Sequence, residues 1–354
     1  TEIGLGLTVF SIVSGFTQAP MGFLVDRFGP CRILIIGILI ESVAFGVIGV
    51  APVYGIFLFL LGIAGIANSV YHPADYVILN NIVPDNRIGR AFSYHTSAGL
   101  VGEAIAPATI LLLASIIDWR IALALCGSLG ILTGFGLMMN TRFLNDDLSR
   151  QRNETARTKS GAKILFTTPI LMGVLFFIGV SIVNRGITGF SVSALHEGNE
   201  LSLGVAGTLL SAWLFASPLG VLLGGRIADR SRHHTRNIAL CFTLIGGCIF
   251  GIVTFSANIW LCSMFFAFGG FFAGIVSPSR DMLIRSLTPP GQYGKVFGFV
   301  STGFNIGGIV APPIYGYVLD HSNPDFVFWI AALASFLTIF TVLGSNRLYH
   351  RKVS

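Results

Sequence analysis

Six ionisable residues stand inside long apolar stretches of this sequence: Glu41, Asp75, Glu103, Arg185, Arg280 and Asp281. A charge at the centre of a bilayer costs roughly 2.5 to 3.5 kcal/mol even on the low scale, so each needs a partner, water or a task. Glu103 sits in Gly99-x-x-Gly102-Glu103-x-x-x-Pro107, where glycines admit a close neighbour and the proline frees a backbone carbonyl. It reads either as a coupling or substrate carboxylate or as a neutral acid hydrogen-bonded between helices. His72 and Asp75 lie three residues apart, hence on one helical face, beside Tyr71 and Tyr76 and next to the helix-distorting Pro73. An imidazole changes charge near neutral pH, which suits His72 to carrying protons; its plainer role is packing. Arg185, in Asn184-Arg185-Gly186, is a fixed cation that favours a carboxylate or phosphate ligand, unless it snorkels to the surface. Arg280 either pairs with Asp75 or, like Asp281, finds its partner locally. Asn305, Gln18, Trp213 and Tyr315 are weaker candidates for lining a polar cavity.

A second constellation lies between apolar runs. Gly22-x-x-x-Asp26-Arg27-x-Gly29-Pro30-x-Arg32 reads as a tight turn, with Gly29 and Pro30 as turn formers, or as a latch. As a latch, the Asp26 carboxylate accepts charge-assisted hydrogen bonds from an arginine and from a helix N-terminus. Arg87 and Arg90 are its expected loop counterparts. Asp229 and Arg230, in Gly225-Arg226-Ile227-Ala228-Asp229-Arg230, repeat the pair later in the chain.

The elements that must hold these groups are membrane helices. Of 354 residues, 53% are hydrophobic and 11% charged, less than half the charge that a soluble domain needs to solvate its surface. The mean hydropathy is +0.78. A net charge of +6 could signal a polyanion partner, but the basic residues are scattered over short loops with no aromatic groove, so no nucleic acid is expected. Cys31, Cys126, Cys241, Cys248 and Cys262 form no Cys-x-x-Cys pair, which points to reduced core residues, with no metal and no cofactor.

Eleven windows have the roughly 20 apolar residues that a bilayer requires: 4–25, 33–52, 55–80, 91–115, 121–140, 166–192, 203–225, 237–256, 259–284, 296–319 and 325–346. Nineteen of the 22 basic residues fall in alternate connections, among them Arg142, Arg150, Arg152, Arg157 and Lys159, against Arg120 alone in the others. The positive-inside rule then places the C-terminus and the 141–165 loop in the cytoplasm. With an odd number of spans the N-terminus falls outside, and a missing first helix is expected.

The chain also matches itself. At an offset of 205, Pro73 falls on Pro278, Pro84 on Pro289, Gly89 on Gly294, Arg90 on Lys295, Gly102 on Gly307 and Pro107 on Pro312; at 203, Gly22, Asp26 and Arg27 fall on Gly225, Asp229 and Arg230. Duplicated helix bundles are a hallmark of transporters.

On these residues the sequence resembles the major facilitator superfamily. The stretch from Gly22 to Arg32 is similar to its signature loop between the second and third helices, and Gly225 to Arg230 to the weaker copy between the eighth and ninth. The resemblance implies an all-α membrane fold of two pseudo-symmetric six-helix bundles, with eleven of twelve helices present. The bundles would be 1–140 and 166–354, joined by a linker at 141–165. It implies alternating access around a central cavity, with Asp26 holding the cytoplasmic gate and a seventh helix that Gly186 and Gly189 permit to break. It makes Glu41, in the peripheral third helix, a helix-packing group. The segment around Glu103 lacks the Gly-Pro-x-x-Gly-Gly ending of drug antiporters, and Leu61 stands where proton-coupled members carry an arginine four residues before Gly65.

The expectation is a secondary active transporter of a small solute, in a cell membrane, monomeric, with protons as a candidate co-substrate and a lean towards an organic anion or metabolite. Drug/proton antiport is the alternative. No Gly-x-Ser-x-Gly elbow or ligand-spaced His/Asp/Glu cluster points to an enzyme, and an embedded enzyme or a channel is the remote reading.

Overall fold

The computed structural model describes residues 2–50, 53–141 and 162–353; Arg142, Arg150, Arg152, Arg157 and Lys159 lie outside them. The described chain is all helix: α1 (Glu2–Phe28), α2 (Pro30–Ile48), α3 (Tyr54–Asn68), α4 (Tyr71–Ile82), α5 (Ile88–Ile116), α6 (Trp119–Met139), α7 (Thr168–Arg185), α8 (Ser191–Asn199), α9 (Leu203–Arg230), α10 (His234–Thr254), α11 (Ile259–Leu287), α12 (Tyr293–His321) and α13 (Phe326–Val353). Taken as continuous stretches, eleven are long and apolar enough to cross a membrane, and they coincide with the eleven windows of the sequence.

The helices outrun those windows at their charged ends. The apolar run expected at 4–25 continues to Phe28, and that at 203–225 to Arg230. Charge ends an apolar window, but arginine is a good helix former and its stem snorkels, so the backbone ladder continues. Within the third stretch, Pro73 lacks the N–H that would reach the Ser69 carbonyl, and the helix divides into α3 and α4 around Ser69 and Val70. Its counterpart Pro278 sits inside the unbroken α11.

Two compact units are resolved. The first holds Thr1–Pro84, Ile105–Thr167 and Thr288–Asn305, hence α1 to α4, the second part of α5, α6 and the first part of α12. Inside it α2 packs on α6 at close range. A Cβ on Gly127 would stand 2.6 Å from the Ser42 carbonyl oxygen and 2.8 Å from the Gly46 Cα. The second unit holds Asp85–Ala104, Thr168–Leu287 and Ile306–Ser354. Its tightest pair is α9 with α11, where Gly220 and Gly224 meet Phe271 and Ile275, and Gly270 and Gly274 meet Trp213 and Ser217, backbone against backbone. Dispersion contacts between such seams replace the hydrophobic drive that lipid does not supply. Phe176, Phe177, Phe266, Phe328 and Tyr315 are buried, whereas Leu111, Phe215, Trp260 and Phe340 stand outward, the inside and outside both apolar as in lipid.

Candidate functional site

Each signature aspartate ends a helix of one sequence repeat and meets the start of a helix from the other. In the first unit, the Asp26 carboxylate in the last turn of α1 accepts the N–H of Gly294 at 2.9 Å and of Lys295 at 3.0 Å, in the first turn of α12. Those amides have no partner inside their own helix, and the helix dipole favours an anion there. In the second unit, Asp229 near the end of α9 accepts the N–H of Gly89 at 2.7 Å and the Arg90 Nε–H at 2.6 Å, in the first turn of α5. Asp229 is 6% exposed in this pair. The glycines make the approach possible: Gly22 lies against the backbone of Gly294 and Lys295, and Gly225 against Ser93 and the Gly89 carbonyl.

Arg90 therefore lies on Asp229, and the α12 start lies on Asp26, where the sequence reading had set Arg87 and Arg90 opposite Asp26. Arg87 is exposed, in a 3-10 turn with Asp85, which pairs with Arg285. Arg27, Arg32 and Arg230 are also exposed, the Arg27 guanidinium 5.2 Å from the Phe28 ring centroid. Gly29 has φ 97°, a left-handed value that suits glycine, and Pro30 opens α2. Lys295 sets its ammonium 5.9 Å from the Phe23 ring centroid. The part of Gly294 and Lys295 escaped the sequence reading although its signal was present, since they are the self-match partners of Gly89 and Arg90.

Deeper in the first unit, Gln18 is 3% exposed and its Oε1 accepts the Asn305 amide at 2.6 Å, joining α1 to α12. His72 is exposed, its ring 6.3 Å from Tyr76 and 6.2 Å from Phe304, while Tyr76 stacks on Phe297 at 4.1 Å. Asp75 is half-buried on the same helix. Glu41 accepts the Asn68 amide at 3.3 Å.

In the second unit, Arg280 is 8% and Asp281 0% exposed; Arg280 Nε reaches Asp281 Oδ1 at 2.8 Å, and its guanidinium lies 5.1 Å from the Phe177 ring centroid. α7 ends at Arg185, and Gly186–Phe190 continue as a π-helical turn before α8. The expected break at Gly186 and Gly189 is thus a widening of the helix. Tyr315 fills the notch: its ring lies against Gly186 and its hydroxyl donates to the Ile182 carbonyl at 3.0 Å. Arg185 is exposed beside this turn, its guanidinium facing Gly308, and it pairs with no carboxylate among the described residues. Glu103 is exposed on α5. No group of three metal-ligating side chains occurs among the described residues.

A family model described as Major Facilitator Superfamily matches residues 1–184 and again 174–352. A probable sulfoacetate transporter of Cupriavidus necator is 25% identical over 351 residues, covering 91% of this chain and 80% of its own. The fosmidomycin resistance protein of Escherichia coli is 23% identical over 366 residues, covering 98% and 84%. The proton:xylose symporter solved with 6-bromo-6-deoxy-D-glucose superposes with a TM-score of 0.75 at 15% identity, over 96% of this chain and 85% of that one. The chain belongs to the major facilitator superfamily, a family of multi-pass membrane transporters.

Proposed function

We propose that this major facilitator superfamily member is a secondary active transporter of a small organic anion, working by alternating access between bundles 1–140 and 166–354. Arg185 carries the reading. It is an exposed guanidinium beside a π turn, in a helical stretch long and apolar enough to cross a membrane, and it faces Gly308. A permanently charged, planar fork binds a carboxylate or sulfonate through paired hydrogen bonds. The likeness to the probable sulfoacetate transporter of Cupriavidus necator supports the same chemistry. Asn305, Gln18, His72, Asp75 and Glu103 are the further polar groups proposed for solute or proton.

The two aspartate contacts are the proposed cytoplasmic gate, with the C-terminus on the same side. Each must break for the helix ends to part, and on re-forming the helix-start amides replace the water that the carboxylate gives up. The test is counterflow in proteoliposomes with a panel of carboxylates, sulfonates, sugars and cationic drugs. Saturable exchange of an anion, lost in Arg185→Gln, supports the proposal; exchange of cationic drugs alone, unaffected by Arg185→Gln, overturns it in favour of antiport.

A further inference from the structure

Glu41 does more than pack. In α2 its carboxylate accepts the Asn68 Nδ2–H at 3.3 Å from α3, and the Asn68 Oδ1 in turn accepts the Ser14 hydroxyl at 3.2 Å from α1. From α4, the Tyr71 hydroxyl is hydrogen-bonded to Glu41. Glu41 also faces a cleft of about 360 Å³ bounded by α2, Tyr71 and α6, with Ser42, Cys126 and Thr133 among its lining. The side chains that bond Glu41 or share its cleft with it are Asn68, Tyr71, Ile38, Ser42, Phe45, Cys126 and Thr133; none is basic. The other titratable groups nearby are Asp75, one helical turn from Tyr71 on α4, and His72, which lies against the Tyr76 and Phe304 rings.

A carboxylate at this depth, oriented by neutral donors and with no cation among those neighbours, has one inexpensive way to shed its charge, which is to bind a proton. The cleft is larger than a water molecule, and the Ser42 and Thr133 hydroxyls, which donate to the Ile38 and Leu129 carbonyls, can still accept a hydrogen bond from the water that would deliver it. We infer that Glu41 is an exchangeable proton site and that Tyr71 is its positioning residue.

The chemistry is a single proton transfer. Hydronium in the cleft gives its proton to a Glu41 carboxylate oxygen and leaves as water, and no other covalent bond changes. Ionised Glu41 accepts from Tyr71. Protonated Glu41 becomes a donor, so it donates to the Tyr71 oxygen and releases the phenolic hydrogen to turn towards Asp75. The residues sit at the i and i+4 positions of α4, which face one another on a helix. Proton occupancy on α2 is thereby converted into a reorientation of the Tyr71 hydroxyl on α4. The inference rests on the transporter reading only for the use made of the proton, not for where it binds.

The test needs no solute. The full chain in nanodiscs is titrated from about pH 4 to 9, which spans carboxylate and imidazole ionisation, and protonated-carboxyl stretching bands are followed by infrared difference spectroscopy. One titrating band is expected to vanish in Glu41→Gln, to shift in Tyr71→Phe, and to persist in Glu103→Gln. A full set of bands in Glu41→Gln, or a Glu41 band that does not change with pH, overturns the inference. Tyr71→Phe provides the same readout from a second position should Glu41→Gln fail to fold: a band that neither shifts nor weakens there overturns it as well. If the band behaves as expected and no panel solute exchanges, the proton site stands and the transport reading fails.

Discussion

Asp26 and Asp229 occupy the same place in the two repeats, and each accepts the N–H of a glycine in the first turn of a helix of the other repeat, Gly294 for Asp26 and Gly89 for Asp229. Asp26→Asn keeps one acceptor oxygen but loses the charge, and hydrogen bonds to charged groups are worth about 1.5 to 3 kcal/mol. The expected outcome is about a tenfold fall in exchange turnover at normal expression. Turnover equal to the parent would remove Asp26 from the gate.

Arg90→Ala leaves Asp229 with the Gly89 amide alone and mostly buried. Losing the partner of a desolvated carboxylate costs more than losing an exposed pair. Arg90→Ala is expected to lower the melting temperature in detergent further than Arg87→Ala, whose guanidinium is exposed. Equal shifts for the two variants would contradict this.

Gly294→Ala places a methyl 2.5 Å from Asp26 Oδ1 and 2.8 Å from the Gly22 carbonyl oxygen. The crossing of α1 and α12 must open, at about 1 to 3 kcal/mol for overpacking. Gly99→Ala, with nothing within 4 Å, is the control and gains helix propensity instead. Stability and exchange measured side by side should separate the two, and a neutral Gly294→Ala would show that the crossing is looser than its distances.

Tyr315→Phe removes the hydroxyl that satisfies the Ile182 carbonyl beside the π turn while leaving the ring. A loss of about 1 kcal/mol is expected, read by thermal melting. If anion affinity also changes, the turn and Arg185 are coupled; a variant as stable as the parent would show that water replaces the bond.

Much of this was legible beforehand. Apolar length located eleven spans because the bilayer imposes one dimension on all of them. Gly29-Pro30 announced its own turn through local backbone freedom, and the resemblance to the superfamily implied a seventh helix that Gly186 and Gly189 permit to break, where the structure has a π turn. What escaped was tertiary. Arg90 and Lys295 matched one another in the sequence, yet nothing there says that each aspartate reaches into the other repeat. Glu41 looked like packing because its donors Asn68 and Tyr71 lie 27 and 30 positions away, and no spacing rule links residues across three helices.

The reciprocal arrangement has a further meaning. An acid in copy one seated on copy two, with the converse also true, is how a self-complementary surface behaves when it meets its own image. A single ancestral motif, Gly and Asp on one helix end and Gly with a basic residue on another helix start, would satisfy both contacts at once after duplication. Drift in either copy is then restrained by the other.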